Sequence, residues 1–169
     1  MLPDPLHPAV VHFPIVLMVL FPFVALGALW AIRRGARPRQ SWAVSVAAAA
    51  ALAASSWVAV ETGEGQEEKV EPVVAEASLH AHEESAERFL LLSGVLFVIT
   101  AAGLVRGLPG RAARLGAAVG GLGLVALGAQ VGHTGGNLVY RDGAASAYTA
   151  AAPAGALATD RKGSRDDED

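Results

Sequence analysis

The chain contains no cysteine. That excludes disulfides, thiolate-held iron–sulfur clusters, thiolate copper sites and the C-x-x-C-H attachment of a c-type haem. Thioethers are nearly as scarce: Met1 and Met18 are the only two, too few for a methionine-rich copper path. Charge is thin, at 17% of 169 residues, and very unevenly placed, so the net charge of -3 says little about partners. No Lys or Arg precedes Arg33, so MLPDPLHP lacks the basic segment of a signal peptide, and the first apolar run is read as a retained helix. There is no P-loop, dinucleotide fingerprint, H-E-x-x-H or G-x-S-x-G, which leaves no classical catalytic motif. No basic patch suits a nucleic acid.

What the chain does have is long apolar blocks. It is 53% hydrophobic with a mean hydropathy of +0.41. The runs are too long and too continuous for the core of a soluble domain of this size, and they favour membrane helices. Four helices are expected, at about 8–32, 41–60, 76–105 and 115–133, in one domain over residues 1–148. Pro14 and Pro22 predict a kink in the first. The second is rich in Ala and Ser, as suits packing against other helices, and Trp42 and Trp57 stand near its ends like interfacial aromatics. The third begins with wet turns in AEASLHAHEESAERF, after an acidic loop broken by Pro72. The tail 149–169 is small and polar and reads as disordered.

The two short loops hold Arg33, Arg34, Arg37, Arg39, Arg106, Arg111 and Arg114 and no acidic residue. By the positive-inside rule both loops face the cytoplasm. The expected fold is therefore an all-α, integral membrane, antiparallel four-helix bundle with N-out/C-out topology, in a bacterial inner membrane.

That topology gathers all five histidines at the outer face. His12 sits in VVHFP about a turn inside an uncharged helix, where ionisable groups usually face a partner or a cavity; the plainer alternative is a bond to a backbone carbonyl freed by Pro14. His82 shares a face with Ala86, Phe89, Ser93 and Phe97. His133 follows a ridge of Gly128, Gly132 and Gly136 that could admit a helix, a second copy of the chain or the flat face of a porphyrin. Glu61 and Glu64 end the second helix in the same layer, where a carboxylate could orient an imidazole or act as a ligand. His7 and His80 are expected at the surface.

Three stretches carry a family resemblance. The opening LHPAVVHFPIVL resembles HP-x-x-VHFPIALL, TGEGQEEKVE with HAHEESAE resembles TGE-x-x-E-x-VE and HE-x-x-AE, and GHTGGNLVYRDGAA resembles GGxLVYxxG. Together they resemble, over roughly residues 6–148, a bacterial family of predicted membrane proteins, domain of unknown function 2231. The resemblance implies four transmembrane helices and, from domains joined to some relatives, a link with electron transfer. It carries over His12, Glu64, His82, His133 and the pair Gly135 and Gly136; Asp142 stands where many members have a His.

Three functional expectations follow. The first is a b-type haem, which needs no cysteine, held by His12 with His82 or His133 beside Gly132 and Gly136 and serving electron transfer with a quinol or a periplasmic redox protein. The second is a divalent metal bound by His12, Glu64, His82 and His133. The third is a cofactor-free structural or partner-binding subunit, with the lipid bilayer as its surroundings and dimerisation through glycine ridges as an option.

Overall fold

The computed structural model describes residues 5–149. Seven helices follow in order: α1 (His7–Val10), α2 (His12–Arg33), α3 (Pro38–Glu64), α4 (Glu67–Val70), α5 (Glu76–Ala102), α6 (Leu108–Tyr140) and α7 (Ser146–Thr149). No strand occurs among the described residues. Four segments are long and apolar enough to cross a membrane: α1 with α2, α3, α5 and α6. The break at Val11 between α1 and α2 has a local cause. Pro14 has no N–H to offer the Val10 carbonyl, so the ladder is interrupted one turn before it. Residues 150–169, most of the tail expected to be disordered, lie outside the described residues.

The helices run past the apolar blocks that betray them. At 1.5 Å per residue, the 33 residues of α6 extend about 50 Å, well beyond a hydrocarbon core of about 30 Å. Part of α6 therefore exceeds what a straight crossing of that core requires. Proline lies in the first turns of both α3 and α6, where a missing N–H costs nothing. Gly107 supplies the left-handed φ of 83° that lets α6 start directly after the turn.

Each long helix buries a stripe whose spacing alternates between three and four residues. It reads Pro14, Met18, Phe21, Ala25, Ala28 in α2. In α3 it is Trp42, Ser45, Ala49, Leu52, Ser56, Ala59. The stripe of α5 is Phe89, Ser93, Leu96, Thr100, and that of α6 is Gly110, Arg114, Ala117, Gly121, Leu124, Gly128. This is the seven-residue seam of a left-handed bundle. The partners in contact are α2 with α3, α3 with α5, α5 with α6 and α6 with α2. The four helices thus close a square in which α2 faces α5 across the diagonal, and α3 faces α6.

Small residues set the spacing. Gly121 lies against Phe21, and Gly128 against Met18 and Phe89. Phe13, Phe23, Trp30, Leu91 and Val119 point outward, as a lipid-facing surface requires. Trp42 departs from its expected place at the interface. It is fully buried, its Nε1–H donates to the Thr100 carbonyl at 2.8 Å, and Gly103 makes room for the indole. Trp57 is exposed.

Candidate histidine layer

Followed toward the end opposite the arginine loops, the four stripes converge on a polar layer. In α2 and α1 the step back from Pro14 is to Val11 and then His7. In α5 the step back from Phe89 is to Ala86 and then His82. Continuing α3 beyond Ala59 reaches Gly63, and continuing α6 beyond Gly128 passes Val131 to Gly135. The layer therefore holds His7 and His82 on one diagonal of the square and Gly63 and Gly135 on the other. Both histidines are half-buried. Their rings meet edge to face, with centroids 6.5 Å apart and planes at 83°.

The glycines make this possible. A Cβ built at Gly63 would lie 3.2 Å from His7 Cε1, and one at Gly135 would lie 3.0 Å from His82 Cε1. Each ring occupies the space a side chain would take on the neighbouring helix.

The same device holds both rings. His7 Nδ1 lies 2.8 Å from the Ala59 carbonyl and 3.4 Å from Thr62 Oγ1, while the Thr62 hydroxyl shares its hydrogen between the Val58 carbonyl at 2.9 Å and the Ala59 carbonyl at 3.0 Å. His82 Nδ1 lies 3.1 Å from Thr134 Oγ1, whose hydroxyl donates to the Val131 carbonyl at 3.0 Å. Ala59, Thr62 and Gly63 are thus matched by Val131, Thr134 and Gly135, each at an offset of 72 residues. A carbonyl only accepts, so His7 must donate from Nδ1. His82 donates from Nδ1 as well when the Thr134 hydrogen is directed at Val131. In that arrangement both rings are the tautomer that leaves the Nε2 lone pair free. Ser85 adds a third hydroxyl, 3.1 Å from Thr134 Oγ1.

Apolar clusters lie on both sides of the layer. Met18, Phe89 and the main core lie toward the membrane centre. Val74, Leu79 and Leu138 form a small cluster on the outer side, with Val70 and Ala144 against it. The Tyr148 hydroxyl donates to Gln66 Oε1 at 3.0 Å and ties the segment after α6 to the acidic loop.

The residues expected to form the site fall in different places. His82 is in the layer. His12 is exposed, with its Nδ1–H on the Pro8 carbonyl at 2.7 Å rather than on the Val10 carbonyl that Pro14 frees. His133 and Glu64 are exposed, as is Glu61. Gly132 and Gly136 face open space, with nothing within 4 Å of an added Cβ. His12, Glu64, His82 and His133 are not brought together: among the described residues no group of three or more His, Asp or Glu side chains could hold a metal ion. His80 is exposed as expected, but His7 is not a surface residue. The signal for His7 lay in the stripe: counting three and four residues back from Pro14 reaches His7 and misses His12.

Four membrane-length helices, a seam of small residues and a polar layer near one end define a helical-bundle membrane protein. The chain belongs to the family described as predicted membrane protein (DUF2231), whose sequence profile matches residues 3–147. No curated protein and no solved structure matches the chain.

Proposed function

We propose that this is a protein of the bacterial cytoplasmic membrane that holds a b-type haem between His7 and His82 and serves electron transfer at the outer face. The observation that supports it is the layer itself. Two imidazoles from diagonal helices point into one level of the bundle, each fixed through Nδ1 and each with Nε2 free. A second hydrogen bond of this kind is what orients and strengthens an imidazole ligand.

The number of ligands favours haem over a bare ion. His7 and His82 together would suffice to hold a haem, whereas a divalent ion in a structural site takes about four ligands. When bound, haem b would supply a one-electron couple, and paired imidazoles suit it to electron transfer. The chain's part is to hold and shield. Ala59 and Thr134 fix the rings, Gly63 and Gly135 leave the layer without side chains on α3 and α6, and the clusters above and below limit water.

The positive-inside rule supports a cytoplasmic position for the arginine loops and, with it, an outward-facing histidine layer. One layer cannot carry electrons across the bilayer. The fitting partners are a quinol in the outer leaflet and a redox protein on the outer side. The test is a titration of haem into the detergent-purified chain, followed at the Soret band. Saturation at one haem per chain with sharp reduced α and β bands supports the reading. No Soret shift, or binding unchanged in a His7→Ala, His82→Ala double variant, overturns it. Stoichiometric metal without a Soret band would assign the pair to a divalent ion instead.

A further inference from the structure

The opposite end of the bundle carries a second feature that electron transfer does not use. Between the α2–α3 and α5–α6 turns lies a cavity of about 380 Å³, lined by Arg37, Arg39, Arg106, Arg111 and Arg114 with Gln40. The segments 33–41 and 103–115 contain no Asp or Glu. Five arginines therefore border one hollow, with no carboxylate in either turn to balance them.

A topology signal does not account for this arrangement. The positive-inside rule asks only for basic residues in the loop. Arg114 is 7% exposed and sits in the second turn of α6, on the buried stripe. Capping accounts for part of it. Arg114 donates from Nε to the Gly103 carbonyl at 2.7 Å, and Arg39 donates from Nε to Leu104 at 3.2 Å, both at the C-terminal end of α5, where cations are favoured. Each of these bonds uses one of the five N–H donors of a guanidinium and also locks the side chain against the cavity wall. Arg37, Arg106 and Arg111 make no such bond. The cavity also lies at the start of both α3 and α6, neither of which has a side-chain cap on its first turn. Their free N–H groups and dipoles add positive potential to the same space.

We propose that this cavity binds a phosphate-bearing anion carrying two or more negative charges. Guanidinium groups match phosphate oxygens in pairs, and the volume lies within the range of small-ligand sites. The phosphate has two sources with one chemistry. It could belong to the headgroup of an anionic phospholipid in the adjoining leaflet, a class that basic pockets between transmembrane helices bind. It could also belong to a soluble polyphosphate entering from the water.

Thermal unfolding of the full-length protein in a neutral detergent tests the proposal, with inorganic pyrophosphate, cardiolipin and phosphatidylcholine added separately. Stabilisation by cardiolipin and not by phosphatidylcholine supports the lipid source; stabilisation by pyrophosphate without lipid supports the soluble one. In either case the Arg37→Gln, Arg111→Gln double variant, altered only at exposed side chains, should weaken apparent affinity at least tenfold. Arg33→Gln, Arg34→Gln is the control: these residues lie outside the cavity, and Arg34 is stacked over the Trp30 ring at 5.2 Å. Stabilisation by neither anion overturns the proposal. Equal loss of binding in both double variants also overturns it, because the effect would then be that of a diffuse positive surface.

Discussion

Two glycines in one helix separate crowding in the histidine layer from everything else that a methyl group does to α6. Gly→Ala within a helix gains about 0.8–1.0 kcal/mol of helix propensity. At Gly132 nothing lies within 4 Å of the new methyl, so Gly132→Ala should show that gain or a fraction of it. At Gly135 the methyl lies 3.0 Å from His82 Cε1 and 3.5 Å from Nδ1. The ring must give way by a few tenths of an ångström while Thr134 pins its Nδ1 at 3.1 Å. Overpacking of this kind costs about 1–3 kcal/mol. Gly135→Ala should therefore be less stable than Gly132→Ala by roughly 1–3 kcal/mol. The assay is reversible unfolding in mixed micelles, read by far-ultraviolet circular dichroism. Removing the pin should relieve the conflict, so Thr134→Val with Gly135→Ala should be less destabilised than the sum of the two single changes by about 0.5 kcal/mol or more. Equal stabilities for the two alanine variants would refute the claim that glycine is there to seat the ring.

Other predictions concern the seam and the chemistry of the layer. Gly128→Ala drives a methyl into Met18 and should cost about 1–3 kcal/mol, with Met18→Ala in the same chain restoring part of the loss; additive losses in unfolding would contradict the contact. Trp42→Phe removes the bond from Nε1 to Thr100 and should lower stability by about 0.5–1.5 kcal/mol, so an unchanged midpoint would remove that bond from the account. Ser45 Oγ is buried with no hydrogen-bond partner, and Ser45→Ala should leave stability unchanged or raise it by about 1 kcal/mol. Imidazoles ligate only when unprotonated, so haem retention should fall on acidification; retention that stays flat to about pH 4 would contradict imidazole ligation.

Much of the fold was legible because lipid imposes a simple rule: helices must be long, apolar and internally bonded. The runs from Pro8 and Ser41 disclosed the first two helices, and the arginine loops disclosed the turns. The helix ends were less legible. Hydropathy reports only the part of a helix that meets lipid, whereas α3 continues through Glu61 to Glu64 and α6 through Gly132 to Tyr140. Trp42 shows a related limit: an indole at the end of an apolar run reads as an interfacial anchor, and only the packing of α5 shows it buried under Gly103.

The site was legible as a level of the bundle but not as a set of residues. Topology alone gathers the histidines at one end. Which of them turn inward depends on rotation about each helix, and a one-residue error moves a side chain by about 100°. His12 drew attention because it lies deeper in the apolar run, yet the three-and-four spacing of Met18, Pro14 and Val11 leads to His7. His133 lies beside a glycine ridge, but it is Gly135 that meets a ring. The repeat of Thr62–Gly63 as Thr134–Gly135 is visible in the sequence and acquires meaning only once each pair is seen beneath an imidazole.

The most direct measurement is the reduced-minus-oxidised absorption spectrum of the chain purified from haem-replete cells, compared across single alanine variants at His7, His12, His82 and His133. The expected result is a low-spin haem signal in the unaltered chain, retained in His12→Ala and His133→Ala and lost or converted to high spin in His7→Ala and His82→Ala. A signal that survives in both layer variants, or no haem signal at all in the chain purified from haem-replete cells, would contradict the assignment of this layer as the haem site.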